Sequence, residues 1–350
     1  MAAAFKVAIR ADASAAIGLG HLQRCLALAH ALCGHGARVT FAMRRIDAAT
    51  ASACEALVAA QGFACLALGR GAVSDQAPDA DAFVDLARAF APDLVVVDHY
   101  GLDATWHRRV RAALGAPLAA IDDLADRELE VATLIDHNEA ADHRRKYAAC
   151  LPAASRLLGG PAYALLGPAY ANAPRHVLQP AVRSIGIFMG GADAAGFSAL
   201  AHAACRAAGF GGEVEIATTR ANPHRAALQA LAAADARTRV TLDQADLAGF
   251  FARHGLQVGA GGGATWERCC IGAPTLALCV ADNQRQVLGP LQHLGVLREV
   301  PGDAPTVDDI AAAVRDLLED AAERAALSAA ARRLVDGHGA ARAAQALLTP

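Results

Sequence analysis

The chain has 350 residues with 32 Lys+Arg against 35 Asp+Glu, and this formal charge of -3 gives no footprint for a phosphate polymer, so nucleic acid is not an expected partner. Hydrophobic residues make up 55% and charged residues 19%, which excludes a disordered chain, and at roughly 150 residues per domain the length points to two domains. The cysteines show no CxxC pair, Lys6, Arg10 and Asp12 interrupt any leader-like apolar run, and no apolar stretch is long enough to span a bilayer; a cytoplasmic protein with reduced thiols and no stable membrane anchor is expected.

Short β-rich runs alternate with helical stretches, the pattern of a parallel sheet with crossover helices. Val7 to Arg10 opens as a strand, and Leu22, Leu26, Ala29 and Cys33 recur at helical spacing over Gly20 to Cys33. Strands are expected next at Arg38 to Met43, Ala64 to Leu68, Leu94 to Asp98, Leu118 to Ile121 and Ala132 to Asp136. Gly159 to Pro180 is rich in Gly, Pro and polar residues and reads as a linker. The opening arrangement then recurs, with a strand at Ser184 to Phe188, a turn at Met189-Gly-Gly-Ala-Asp193 and an Ala-rich helix. Further strands are expected at Glu213 to Ala217, Arg239 to Leu242, Leu256 to Val258 and Thr275 to Val280. Val307 to Leu348 reads as two helices broken near Gly337-His-Gly339, one of them able to pack back onto the first domain. The expected fold class is α/β, two Rossmann-like domains, 1–180 and 181–350, whose parallel sheets face a central cleft; ligands of such sheets bind outside the carboxyl ends of the strands.

The strongest local signal is Arg10-Ala-Asp12-Ala-Ser14-Ala-Ala-Ile-Gly18-Leu-Gly20-His21-Leu-Gln-Arg24, with two glycines and a histidine where a strand gives way to a helix. Glycines allow close backbone approach, and the first N–H groups of a helix favour an anion such as pyrophosphate. The third glycine of a dinucleotide fingerprint is replaced by Gln23, so NAD fits poorly. His21 could act as a general base at the helix start, or be a solvated turn residue.

A second strand–glycine–helix passage is Val258-Gly-Ala-Gly-Gly262-Gly-Ala-Thr265-Trp-Glu267. Glu267, one turn in, could accept hydrogen bonds from ribose hydroxyls; glutamate in a first turn is also favoured by the helix dipole alone. Asn283 and Gln284 follow an expected strand, where amides can read sugar hydroxyl or acetamido groups. Asp98-His-Tyr100-Gly and Asp122-Asp123 also close expected strands and are either site residues or ordinary turns. No HExxH or HxxxH pattern appears, so neither a metal nor any other cofactor is expected.

Taken in order, Arg10-Ala-Asp-Ala-Ser through Gly-Leu-Gly-His21, Asp98-His-Tyr-Gly, Asp122-Asp123, Leu158-Gly-Gly-Pro-Ala-Tyr-Ala-Leu-Leu, Met189-Gly-Gly-Ala-Asp, Gly259-Ala-Gly-Gly with Trp266-Glu267, and Ala281-Asp-Asn-Gln cover most of the chain. In this arrangement it resembles the UDP-2,4-diacetamido-2,4,6-trideoxy-β-L-altropyranose hydrolases of pseudaminic acid biosynthesis. The resemblance implies a glycosyltransferase-B-like fold with water as the acceptor, a UDP-sugar substrate, His21 as the catalytic residue and Glu267 on the nucleotide. On it, Asp12, Ser14, Gly18, Gly20, Arg24, Tyr100, Gly190, Gly191, Gly262, Thr265, Glu267, Asn283 and Gln284 are the expected substrate-binding residues. Gly167 stands where the family often has arginine, and Gly196 stands near its usual asparagine. A glycosyltransferase of the same fold and a non-catalytic nucleotide-sugar sensor are the competing readings.

Overall fold

The computed structural model describes residues 4–14, 17–244, 247–302 and 304–349. Its contacts divide into two units, Met1–Pro168 with His338–Pro350, and Ala169–Gly337.

The first unit is built on a parallel sheet of β1 Lys6–Ala11, β2 Arg38–Arg45, β3 Ala64–Arg70, β4 Leu94–Asp98, β5 Leu118–Ile121, β6 Thr133–Asp136 and β7 Arg156–Gly159. The strands lie in the order β3-β2-β1-β4-β5-β6-β7. Because successive strand side chains point to opposite faces, β1 feeds two core layers. Val7, Ile9 and Ala11 pack with Leu22 and Leu28 of the helix Gly20–Gly34 and with Ala340 and Ala343 of the helix Gly339–Leu348. Ala8 packs on the other face with Phe83 and Trp106, from the helices Gln76–Phe90 and Ala104–Leu114.

The second unit repeats the plan with β8 Ser184–Phe188, β9 Glu213–Thr218, β10 Thr238–Leu242, β11 Leu256–Ala260, β12 Thr275–Leu278 and β13 Arg298–Glu299, all parallel, in the order β10-β9-β8-β11-β12-β13. In each sheet the order reverses beside the first strand, between β1 and β4 and between β8 and β11. Loops leaving those strands part to opposite faces, and the crevice they leave is where open α/β sheets bind ligands.

The expected strands form, and two short ones join them. β7 and β13 lie at sheet edges, where four and two residues suffice and no periodicity can announce them. The stretch expected as a linker contains 3₁₀ turns at Pro161–Tyr163 and Pro168–Asn172. The C-terminal region is three helices, Val307–Glu319, Ala321–Leu334 and Gly339–Leu348, because Asp320 ends the first and its carboxylate caps the second at the Glu323 amide, 2.8 Å away. The contact units differ from the 1–180 and 181–350 division in that the first ends at Pro168 and the chain returns to it at His338.

Candidate active site

His21 is the second residue of the helix that follows β1, and Asp98 is the last residue of β4. β1 and β4 are neighbours in register, Ala11 opposite Asp98, which brings residues 77 apart in sequence to one point. The Asp98 carboxylate lies 2.6 Å from His21 Nδ1 and accepts two hydrogen bonds from Arg24, each 2.6 Å. A carboxylate can only accept, so Nδ1 of the neutral imidazole carries the proton and Nε2 presents its lone pair, with no partner among the described residues. The Arg24 nitrogen 3.1 Å from Nδ1 is then a close approach, not a hydrogen bond. Burial alone would raise the Asp98 carboxyl, yet Arg24 and then His21 hold it well below the usual carboxylate range.

Tyr100 stacks edge-on against His21, ring centres 4.6 Å apart, and donates to Asp123 at 2.7 Å. Asp123 also accepts from Asn138 at 3.1 Å. Burial first, with the Asp123 charge adding to it over the opposing Arg24, raises the phenol. Tyr100 is therefore a proton donor here and a poor base. Of Asp98, Tyr100 and His21, it is His21 that keeps a free lone pair among the described residues.

The other residues of the first motif shape this place from behind. Ser14 closes the loop, its carbonyl accepting from Gly18 at 2.8 Å and its hydroxyl from Ile17 at 3.0 Å. Gly18 takes φ +79°, the left-handed region that favours glycine, and a side chain at Gly20 would meet open space. Asp12 is fully buried and its carboxylate is taken by Arg10, by the Arg44 amide at 2.8 Å and by His99 Nε2 at 3.3 Å. Since Gly101 donates to His99 Nδ1 at 2.9 Å, His99 holds its proton on Nε2 and gives it to Asp12. Asp12 thus fixes the turn that carries Tyr100, and its lone pairs are not available to a ligand. Arg10 is held from its other side by Asp79, which also accepts from Trp106 at 2.9 Å.

In the second unit the two glycine loops differ in charge. Gly190 has φ +90°, and the Gly191 carbonyl accepts from the Thr219 hydroxyl at 2.8 Å. Asp193 then places its two carboxylate oxygens on the Phe197 and Ser198 amides, at 2.8 and 2.9 Å. An anion already occupies that helix start, so a diphosphate there would meet repulsion. Asp193→Ala should cost about 0.5–2 kcal/mol of stability as a lost cap, read by denaturant unfolding.

The helix Ala264–Ile271 has no side-chain cap. The Gln284 side-chain oxygen accepts from the Gly261 and Val280 amides, at 3.0 and 3.1 Å, tying the loop after β11 to the exit of β12. A side chain at Gly262 would approach the Gln284 amide nitrogen at 3.5 Å. Thr265 is buried, its hydroxyl 3.0 Å from Arg268, so it supports the helix start from inside. Glu267 is half-buried in the first turn. The Asn283 side chain lies outside the described residues. Among the described residues no group of three or more His, Cys, Asp or Glu is placed to hold a metal, and no helix is long and apolar enough to cross a membrane.

No protein-family model matches the sequence, and no curated protein matches it in sequence. Solved structures are similar in fold over nearly the whole chain. MurG of Acinetobacter baumannii aligns over 99% of this chain and 100% of its own, with a TM-score of 0.71 and 13% identity. The glycotransferase of kitacinnamycin aligns over 99% of each chain, with a TM-score of 0.65 and 18% identity. The chain has a glycosyltransferase-B-like fold. The S. aureus MnaA–UDP co-structure shares it, with a TM-score of 0.66 and 11% identity over 98% of this chain and 96% of that one. At such identities the likeness speaks for the fold alone.

Sequence reasoning singled out His21 and Tyr100 but assigned no role to Asp98, Asp123 or Asn138. The Asp98-His-Tyr motif at a strand end was the available signal; the pairing of β1 with β4 gives it meaning.

Proposed function

We propose that this chain hydrolyses a UDP-sugar at the anomeric carbon, releasing UDP and the free sugar, with a 2,4-diacetamido-2,4,6-trideoxyhexose as the sugar that the motif resemblance implies. The observation that carries the reading is the His21–Asp98 pair at the switch point of the first sheet, with Nε2 unpartnered. The uncapped helix Ala264–Ile271 at the switch point of the second sheet supports a place for the diphosphate, and the fold shared with a UDP co-structure supports the nucleotide.

In this mechanism Nε2 of His21 takes a proton from water as its oxygen bonds to C1. The C1–O bond breaks, and its electron pair leaves on the β-phosphate of UDP. UDP is a good leaving group, and backbone N–H groups stabilise the charge it gains. Direct displacement inverts the anomeric configuration. The test is to incubate the protein with a panel of UDP-2,4-diacetamido sugars in ¹⁸O-labelled water. Label on the sugar and none on UDP is expected; label in phosphate means attack at phosphorus and ends the proposal.

Glu267 is assigned to the ribose hydroxyls. Glu267→Ala should weaken UDP binding by about 1–3 kcal/mol, the scale of a charged hydrogen-bonding group, in calorimetric titration.

A glycosyltransferase reading draws on Ile17 and Leu19, exposed apolar side chains beside the first glycine loop. Among the described residues beside that loop, these two side chains, each near 40% exposed, fall short of the roughly 300–600 Å² that a functional apolar patch presents. Water is accordingly the preferred acceptor.

A further inference from the structure

Arg268 is a buried cation that forms no ion pair with a carboxylate among the described residues, the charge of its neighbour Glu267 favouring it only through space. It lies in the second half of the helix Ala264–Ile271, 1% exposed, but helical side chains lean toward the N-terminus and its guanidinium reaches back under the first turn. There it donates to the carbonyl of Ala260, the last residue of β11, at 2.7 Å and to the Thr265 hydroxyl at 3.0 Å. Nε and Nη1 have no partner among the described residues. The guanidinium packs against Gly259, where a side-chain carbon would come within 2.5 Å of Nη1, and its central carbon lies 5.9 Å from the centre of the Phe251 ring.

Other fully buried arginines of the chain are compensated. Arg10 is held by Asp12 and Asp79. Arg324 donates to the carbonyls of Leu317 and Leu318 at a helix C-terminus, the pole that favours a cation. Arg268 is set at the opposite pole, where the helix itself is positive, and no carboxylate forms an ion pair with it among the described residues. Burial lowers its guanidinium to about 10, which leaves it charged at neutral pH. A charge kept in such a place is costly unless something of opposite sign arrives.

We propose that Arg268 is a buried counter-charge for the diphosphate, which makes the glycine loop after β11 select a nucleoside diphosphate over less charged uridine compounds. The inference rests on the reading that the diphosphate binds at this helix start. Arg268 touches no substrate; it is a positioning residue, acting through the field it adds beneath the loop, where a unit charge in a medium of effective dielectric about 20 changes anion affinity by one to two orders of magnitude.

The experiment compares calorimetric affinities for UDP, UMP and uridine in the wild type, Arg268→Lys and Arg268→Gln. Lysine keeps the charge, and glutamine keeps a donor for Ala260 and Thr265 without it. In Arg268→Gln the preference for UDP over uridine should fall roughly tenfold to hundredfold, with uridine binding unchanged; Arg268→Lys should keep most of it. Should the glutamine variant not fold, Arg268→Met takes its place, since an apolar side chain of similar length often suits a buried site better than an unpaired charge. An undiminished preference in the uncharged variant, or equal losses for UDP and uridine, would overturn the proposal. Wild-type protein that binds no UDP would instead overturn the functional reading beneath it.

Discussion

Replacing His21 by alanine is expected to lower turnover of the UDP-sugar by about 10²–10⁴-fold, the usual contribution of a positioned general base, while UDP affinity stays nearly unchanged. The first half of the expectation follows from the lone pair. Among the groups gathered at the end of β1 and β4, Asp98 is spent on His21 and Arg24, Tyr100 is a donor to Asp123, and Asp12 is enclosed by Arg10, Arg44 and His99. None of them can take over proton removal without breaking a buried contact. The second half follows from the proposed assignment of UDP to the uncapped helix and Glu267 of the second unit, a contact unit distinct from the one that holds His21. Turnover and calorimetric UDP affinity, measured on the same folded variant, check both. An active His21→Ala protein would remove the proposed base, and a parallel loss of UDP affinity would move the nucleotide toward the first glycine loop.

Much of this arrangement is legible in the sequence. The strands of both sheets appear as β-rich runs, because a strand covered on both faces must be apolar throughout, as in Leu94-Val-Val-Val. The glycine loops appear because only glycine suits backbone such as Gly18 and Gly190. What could not be read is which strand lies beside which. His21 and Asp98 become a pair only when β4 is placed next to β1, a fact of sheet order that no local pattern records. The same limit hides which polar residues face inward. Asp12 and Thr265 stand in ligand-like motifs, yet Arg10 and Arg268 claim them from behind the loops, and those arginines show nothing in sequence of being buried. A C-terminal helix able to pack back onto the first domain is legible after the Gly337-His-Gly339 break, but its contacts, Ala340, Ala343 and Ala344 in the core of the first unit, are not.

Asp98→Asn should prove nearly as damaging as losing His21, at roughly 10²–10⁴-fold in turnover, although the substitution removes only a charge and changes almost no volume. Arg24 presents two N–H donors to the two oxygens of Asp98. Oδ1, the oxygen facing His21 Nδ1, also accepts from Arg24 Nη2, so it is an asparagine whose single carbonyl oxygen takes the Oδ2 place, on Arg24 Nε, that turns its amide NH₂ to His21. Nδ1 becomes the acceptor, the imidazole proton moves to Nε2, and the lone pair that should receive a proton from water is gone. The ¹⁵N shifts of the imidazole ring report this directly, with Nδ1 protonated in the wild type and Nε2 protonated in the variant. A variant that keeps the wild-type tautomer and full turnover would show that Asp98 only supports the fold. Stability supplies an independent reading. Because Arg24 and His21, against burial, hold the folded-state Asp98 carboxyl below its ordinary value, its contribution is fully present above about pH 4 and is lost as pH falls through the folded-state value. Asp98→Asn should therefore lower stability at neutral pH and flatten its decline in acid, as measured by unfolding at a series of pH values, while the turnover defect persists at every pH where the variant is folded.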